Sequence, residues 1–332
     1  MASPTHLTDT FNRTHRYLRI SLTERCNLRC SYCMPEEGVK LSPKASLLSA
    51  DEIIAIAQIF VELGITRIRL TGGEPLVRKD VGDIMLRLSK LPVELCLTSN
   101  ALLVHRHLDT LLEAGIKHIN ISLDTLQSAK FSIIARRDGF AQVMANIDLL
   151  LAHKFTVKVN AVLIKGFNDN ELIDFIEWTK DRSLQIRFIE FMPFDGNQWQ
   201  WDKIVPYQHI IDTLQAHYPV LEKQQDGKND TAKTFRIPSY QGTFGVISSM
   251  TEHFCGSCNR LRLTANGHLK NCLFSNNETD LLSAYRQGKD IRPLIQQNLQ
   301  AKHFKHGGIT SLPNLTADSD DMSDRSMILI GG

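Results

Sequence analysis

A chain of 332 residues with 42% apolar side chains can bury a large core, as one big domain or one domain with an appendage. Its 38 basic and 36 acidic residues nearly cancel to a net +2, so nothing in the totals points to bulk nucleic-acid binding. No apolar run approaches the length of a membrane span, and the opening MASPTHLTDTFNRTHRY lacks a signal-peptide core, so a soluble, cytoplasmic protein is expected.

The first strand candidate, YLRISLT (17–23), leads into CNLRCSYC, which gathers Cys26, Cys30 and Cys33 in one short loop. A helix then opens at Ser49, where Ser49 and Glu52 stand in capping-box spacing, and Gly64 closes it. Further strand candidates are RIRLTG (67–72), VELCLTSN (93–100), HINISLD (118–124), TVKVNAVLI (156–164) and LQIRFIEFM (184–192), with helical stretches between them. Six alternating units imply a parallel sheet, open or curled into a barrel.

Alternation within the strands narrows the choice. Leu18 and Ile20 alternate with Arg19 and Ser21, Ile68 and Leu70 with Arg69 and Thr71, Ile119 and Ile121 with Asn120 and Ser122, and Val157 and Val159 with Lys158 and Asn160. Each strand therefore has one apolar and one polar face. Parallel strands covered on both sides read as continuous apolar runs, so a repeated polar face implies helices outside and a hydrated cavity inside. The expected fold is α/β, a partial, open (βα)6 barrel of TIM type. LQIRFIEFM fits less well, because Ile189 and Phe191 share a face with Arg187.

After about residue 195 the rhythm breaks. GNQWQWDK and KQQDGKND read as loops, IIDTLQAHY as a short helix, and GTFGVISSM as a strand leading to a second cysteine group. The segment 305–326 is polar and expected to be mobile, and the chain ends in MILIGG. The expected division is 1–235 for the barrel and 236–332 for a C-terminal extension carrying the second metal group.

Six of the seven cysteines form two triplets, Cys26, Cys30, Cys33 and Cys255, Cys258, Cys272. In a reducing compartment such clusters are metal ligands before they are disulfides. Cys96, inside VELCLTSN, reads as a small buried hydrophobe. Three thiolates fall one short of the usual four of a cubane, leaving one iron open to another ligand. S-adenosylmethionine (SAM) can chelate that iron through its amino and carboxylate groups. Zinc is a weak rival, since its sites close with a fourth Cys or His and His15 is poorly placed for that.

CNLRCSYC, with aromatic Tyr32 before the third cysteine and strand-borne TGGEP at 71–75, resembles the radical SAM superfamily. Gly72 and Gly73 look like the backbone approach to the SAM amino end. In FCGSCNRLRLTANGHLKNCLF (254–274) zinc is a more serious rival, because Cys255, Cys258, His268 and Cys272 have zinc spacing. Beside a SAM cluster, an auxiliary iron–sulfur cluster becomes the better expectation. Arg260 and Arg262 lie between its cysteines, and guanidinium forks suit phosphate oxygens. A ligand with both a metal-binding edge and phosphates is a nucleotide.

The ordered set YLRISLTERCNLRCSYCMP, IRLTGGEPLVRKD, INISLD, VKVNAVLIKGFND, IRFIEFMP, FCGSCNRLRLTANGHLKNCLF and terminal IGG resembles the GTP 3',8-cyclase family from residue 11 to 332. The resemblance implies two [4Fe-4S] clusters, the first on Cys26, Cys30 and Cys33, the second on Cys255, Cys258 and Cys272. It implies SAM contacts from Tyr32, Gly73, Ser122, Met192 and Arg187, and GTP contacts from Arg19, Arg69, Thr98, Lys158, Arg260 and Arg262. Arg19, Arg260, Arg262, Gly331 and Gly332 would serve the reaction itself, the glycine tail threading a crowded pocket.

The same resemblance implies a reducing electron donor and a product passed to cyclic pyranopterin monophosphate synthase, and it admits a homodimer. Two positions depart from the pattern. Asn12 and Ala101 stand where the family favours glycine; Asn tolerates positive φ, whereas Ala101 threatens the turn near Thr98. Two other functions remain open: a radical SAM peptide-modifying enzyme, and a zinc-stabilised binding protein, colourless where iron–sulfur protein is brown.

Overall fold

The computed structural model describes residues 6–309 and 325–331. Six strands come first: β1 (Tyr17–Ser21), β2 (Arg67–Thr71), β3 (Glu94–Ser99), β4 (His118–Ser122), β5 (Thr156–Leu163) and β6 (Leu184–Glu190). Each is parallel to the next. The helices between them are α1 (Ala50–Glu62), α2 (Val81–Leu88), α3 (Val104–Glu113), α4 (Ser128–Ala135), α5 (Phe140–Ala152) and α6 (Leu172–Glu177). In α1 the anticipated box is complete: Glu52 N donates to Ser49 Oγ at 3.2 Å, and Ser49 N donates to Glu52 Oε2 at 2.8 Å.

The second part of the chain does not stand apart. It contributes α7 (Tyr207–His217), then β7 (Glu222–Lys223), β8 (Lys233–Arg236) and β9 (Thr243–Ile247). β10 (Arg260–Leu263), β11 (His268–Lys270), β12 (Thr279–Asp280), α8 (Leu281–Arg286), α9 (Arg292–Gln300) and α10 (Met327–Ile330) follow. The sheet order is β12-β11-β10-β1-β2-β3-β4-β5-β6-β9-β8-β7. β9 joins β6 in parallel and β10 joins β1 in parallel, so the late strands widen the barrel at both of its edges. Among the described residues the two ends of this sheet do not pair with each other, and the barrel is open.

The alternation works as read. Leu18, Ile20, Ile68, Leu70, Ile119, Ile121, Val157 and Val159 are all at most 1% exposed and pack into one core with the helices. Burying each such side chain stabilises the fold by about 1.5–3 kcal/mol. Cys96 is buried as expected, at 1% exposure, although it sits in register with Arg69 on the inward face.

Of the segment expected to be mobile, residues 310–324 lie outside the described residues, as does Gly332. Nearer the segment's start, His306 and Ile309 are buried. His306 sits in a tight turn, its Nε2 2.9 Å from the Ser249 carbonyl and its ring against Phe274. Among the described residues no helix is long and apolar enough to cross a membrane.

Candidate active site

β1 runs directly into the first thiol loop. Leu28 N donates to Cys26 Sγ at 3.3 Å, and Cys33 N and Met34 N both donate to the Cys30 carbonyl at 3.0 Å. The C-terminal end of α4 clamps the loop from the side, its Ala135 and Ile134 carbonyls accepting from Arg29 N and Ser31 N at 2.9 Å. Burial pushes the Cys26 thiol up to about 11 and the Cys33 thiol up to about 12, while burial and nearby Asp124 hold Cys30 well above the ordinary range. A cationic metal core would offset that burial by stabilising the thiolates.

A single zinc ion is the poorer fit. Zn–S bonds of about 2.3 Å bring sulfurs within about 4 Å of one another. Among the described residues no three His, Cys, Asp or Glu side chains converge to hold one ion. A cube of irons accepts thiolates set farther apart, and the donor set here is all sulfur.

The Gly-Gly turn after β2 is zipped against this loop. Gly73 N donates to the Thr23 carbonyl and Glu74 N to the Arg25 carbonyl, each at 2.8 Å. A Cβ on Gly73 would lie 2.5 Å from the Arg25 carbonyl oxygen and 3.0 Å from Ile328 Cγ1. Gly73→Ala must therefore push the turn away from the thiol loop. We expect at least a tenfold loss of SAM affinity in the reconstituted protein, with unfolding free energy lower by about 1–3 kcal/mol. Unchanged affinity in a SAM titration would remove this turn from the SAM site.

Sequence reasoning missed the two side chains that tie the strands to that loop. Glu74, 1% exposed, accepts from Leu76 N at 3.0 Å, Ser99 Oγ at 2.9 Å and Asn100 N at 2.7 Å; burial pushes it up to about 7 against those donors. Asn100 Nδ2 then donates to Asn27 Oδ1 at 2.7 Å and faces Cys26 Sγ at 3.8 Å. Ala101 adopts φ 65°, the left-handed conformation glycine takes without strain, held by Ser99 Oγ accepting from its N–H and Asn146 donating to its carbonyl. The turn thus survives alanine at that position, and Asn12 likewise takes φ 60°.

Inside the barrel lies a cavity of about 600 Å³, within the range of small-molecule sites. Cys26, Cys30, Cys33, Tyr32, Gly73, Ser122 and Met192 line it, as do Arg19, Arg69, Thr98, Lys158, Arg187, Arg260 and Arg262. Tyr32 is hydrogen-bonded to buried Asp124, which burial pushes up to about 6. Register explains the cation cluster: Arg19 sits between Arg262 and Arg69, and Thr98, Asn120 and Lys158 form a row across β3, β4 and β5.

Arg19, Lys158, Arg187 and Arg262 are each penalised twice. Burial and then Arg69 lower Arg187 to about 9, burial and then Arg260 lower Arg262 to about 10, and burial with Arg262 holds Arg19 well below its usual range. Lys158 is lowered by burial and then by Arg187. Among the described residues, Arg187 Nε and Nη2, Thr98 Oγ1 and Asn160 Oδ1 are buried without a hydrogen-bond partner. Such groups cost stability until a ligand meets them, and a polyanion answers both the burial and the mutual repulsion. Some are already engaged: Arg69 donates to the Leu97 carbonyl at 2.7 Å and to Tyr17, and Arg262 Nη1 donates to the Gly331 carbonyl at 2.7 Å.

The second triplet lies at the opposite end of the strands: Cys255 and Cys258 precede β10, which is parallel to β1, and Cys272 follows antiparallel β11. Cys258 N donates to the Cys255 carbonyl at 3.1 Å, closing a turn. Arg13, braced by Asp9 at 2.6 Å, donates to the Cys255 and Phe304 carbonyls at 2.8 Å. His268 does not complete a zinc set. Its Nδ1 lies 3.3 Å from the Asn266 carbonyl, and it pairs across the sheet edge with Asp280.

An open parallel barrel whose first loop carries three thiols, with a Gly-Gly turn zipped beside them, defines an enzyme of the radical SAM class. Residues 20–179 match the Radical SAM superfamily and residues 184–308 match the family described as Molybdenum Cofactor Synthesis C. A GTP 3',8-cyclase of Listeria welshimeri is 39% identical over 98% of this chain and 99% of its own, and the mitochondrial GTP 3',8-cyclase of Arabidopsis thaliana is 47% identical over 98% and 83%. The chain belongs to the GTP 3',8-cyclase family.

It is also 49% identical to molybdenum cofactor biosynthesis protein 1 of Mus musculus, over 98% of this chain; here it spans about half, 51%, of the relative's length. Among solved structures, Streptococcus suis SuiB bound to S-adenosylmethionine shares the fold, with TM-score 0.57 and 16% identity over 88% of this chain and 70% of that one. SuiB bound to its precursor peptide SuiA superposes equally well, at TM-score 0.58. That likeness is one of fold alone and lends a peptide-modifying function nothing further.

Proposed function

We propose that the chain is a radical SAM GTP 3',8-cyclase, a lyase that converts GTP to (8S)-3',8-cyclo-7,8-dihydroguanosine 5'-triphosphate at the first step of molybdenum cofactor biosynthesis. The observation that carries this is the buried group of mutually repelling cations, Arg19, Lys158, Arg187 and Arg262, in the cavity shared with the first thiol loop. A triphosphate is the ligand that such a group fits.

Cys26, Cys30 and Cys33 would hold one [4Fe-4S] cluster, with Tyr32, Gly73, Ser122, Arg187 and Met192 around SAM; Cys255, Cys258 and Cys272 would hold the other beside the guanine. Bound together, the first cluster and SAM would supply the one-electron chemistry that removes the hydrogen from C3' of the ribose. The C3'–C8 bond then forms, and one electron and one proton complete the product. Arg19, Arg69, Thr98, Lys158, Arg260 and Arg262 hold the triphosphate so that C3' lies nearest the radical, and orientation of this kind supplies much of the rate. Gly331 would close the pocket, where a side-chain-free residue admits the ribose closely, and the family resemblance gives Gly332, outside the described residues, the same role. Residues 1–235 supply the SAM part of the site and 236–332 the auxiliary part.

A reducing electron donor, transfer of the product to cyclic pyranopterin monophosphate synthase, a homodimer and a cytoplasmic location complete the proposal. The seven free cysteines described support a reducing compartment.

The test is GTP deuterated at C3', given with SAM and a reductant to the anaerobically reconstituted protein. Deuterium in 5'-deoxyadenosine is expected. SAM cleavage without transfer would keep the radical chemistry and remove GTP as its substrate. Arg262→Ala should weaken GTP binding by about 10- to 100-fold, the worth of a charge-assisted hydrogen bond. Unchanged affinity by calorimetry would take Arg262 out of the phosphate site and leave it as the clamp on Gly331.

A further inference from the structure

Lys302, just beyond the C-terminal end of α9, is only 4% exposed. Its Nζ donates to the Asn271 carbonyl, to the Arg260 carbonyl at 3.4 Å, and to Cys258 Sγ at 3.7 Å. Two of these acceptors are neutral. Among the described residues no carboxylate lies within ion-pair distance of it, and Asp9, the acid of this layer, is held by Arg13. His15, wholly buried next to it, is pushed down to about 3 by burial and by Lys302 itself, so it adds no second cation. A buried ammonium without a counter-charge is strongly unfavourable. The group in reach that a bound cluster would make anionic is the Cys258 sulfur, 3.7 Å from Nζ.

The two triplets differ in this respect. Around the first, the acids Asp124 and Glu74 stand nearby, the one cation acting on Cys26, Arg29, donates its Nη1 to the Cys26 and Leu28 carbonyls, and among the described residues Cys26 Sγ receives the neutral Leu28 and Asn100 donors. Around the second, a buried cation is in place: Lys302 Nζ stands 3.7 Å from Cys258 Sγ. Charge and hydrogen bonds at the sulfurs are the levers by which a protein sets a cluster's potential.

We propose that Lys302 is a positioning residue for the auxiliary cluster, its ammonium held 3.7 Å from the Cys258 sulfur so that its positive charge raises the cluster's reduction potential. A positive charge beside the sulfur favours the reduced, more negative cluster. One electron enters from the external reductant, and nothing else changes. The proposal rests on the assignment of a [4Fe-4S] cluster to the second triplet.

The test uses the full chain with Cys26, Cys30 and Cys33 all changed to alanine, so that one cluster is observed alone. Iron content and a dithionite potentiometric titration followed by electron paramagnetic resonance are compared for Lys302, Lys302→Met and Lys302→Arg. We expect Lys302→Met to lower the reduction equilibrium constant at least tenfold, about 59 mV for one electron, and Lys302→Arg to restore most of it. Loss of the cluster in Lys302→Met but not in Lys302→Arg would also show that the charge is what the site needs. A full cluster complement with unchanged potential in Lys302→Met would overturn the proposal, and so would equal effects of Met and Arg, which mark a role in packing only. If the parent with Lys302 takes up no iron, the auxiliary cluster itself is absent and the proposal falls with it.

Discussion

Cys30→Ala should produce no 5'-deoxyadenosine at all, whereas Cys258→Ala should still cleave SAM and yet form no cyclised nucleotide. The asymmetry follows from where the two sulfurs sit. Cys30 is the middle thiol of the first loop, its carbonyl caps the turn at Cys33 and Met34, and its sulfur feels both Cys26 and Cys33. Two remaining thiols do not retain a cubane, and without it nothing delivers an electron to the sulfonium. Cys258 lies at the other end of the strands, just before β10 and beside Lys302, away from the loop that follows β1. Its loss should remove the second cluster, and with it the orientation of the base, costing cyclisation at least about 100-fold. Iron and sulfide analysis, 5'-deoxyadenosine yield and product yield on both variants decide the matter. Cyclisation that persists in Cys258→Ala would mean that the second triplet does not anchor the substrate.

The parts of this site legible in the sequence were those carried by local periodicity. Arg19, Arg69, Thr98 and Lys158 could be placed inward because each alternates with core residues that the structure buries completely. What periodicity could not supply was long-range pairing. β10 is four residues long and pairs with β1, so only the folded register brings Arg262 next to Arg19. β9, read as a strand, gave no sign that it would extend the barrel beside β6.

β6 itself mixed its signals because Ile189 lines the cavity with Arg187, an apolar wall on an otherwise polar face. Lys302 was invisible for a different reason. A lysine after a helix normally lies in water, and only tertiary packing buries this one. His268 erred in the other direction: zinc spacing was present, but the strand turns the ring toward Asn266 and Asp280.

Gly331→Ala should nearly abolish cyclisation while leaving the rest of the protein intact. The residue adopts φ 80°, and a Cβ there would lie 2.8 Å from Ser21 Cβ and 2.9 Å from Thr71 Oγ1. Both neighbours belong to core strands of the barrel, so the tail has to give way. The left-handed conformation alone costs a non-glycine residue about 1–2 kcal/mol. The steric conflict adds to that. The tail's hold on the barrel includes Ile328 and Ile330, each 1% exposed, and the bond from Arg262 to the Gly331 carbonyl. These hydrophobic anchors should keep α10 docked, so the change falls on the last residues and on Arg262, which loses its acceptor. The expected signature is a cyclisation rate down about 100-fold or more, with SAM cleavage, iron content and melting temperature near those of the parent. A parent-like cyclisation rate would show that the cavity works without the glycine at this position, and Arg262 would then be free to serve the phosphates in every state.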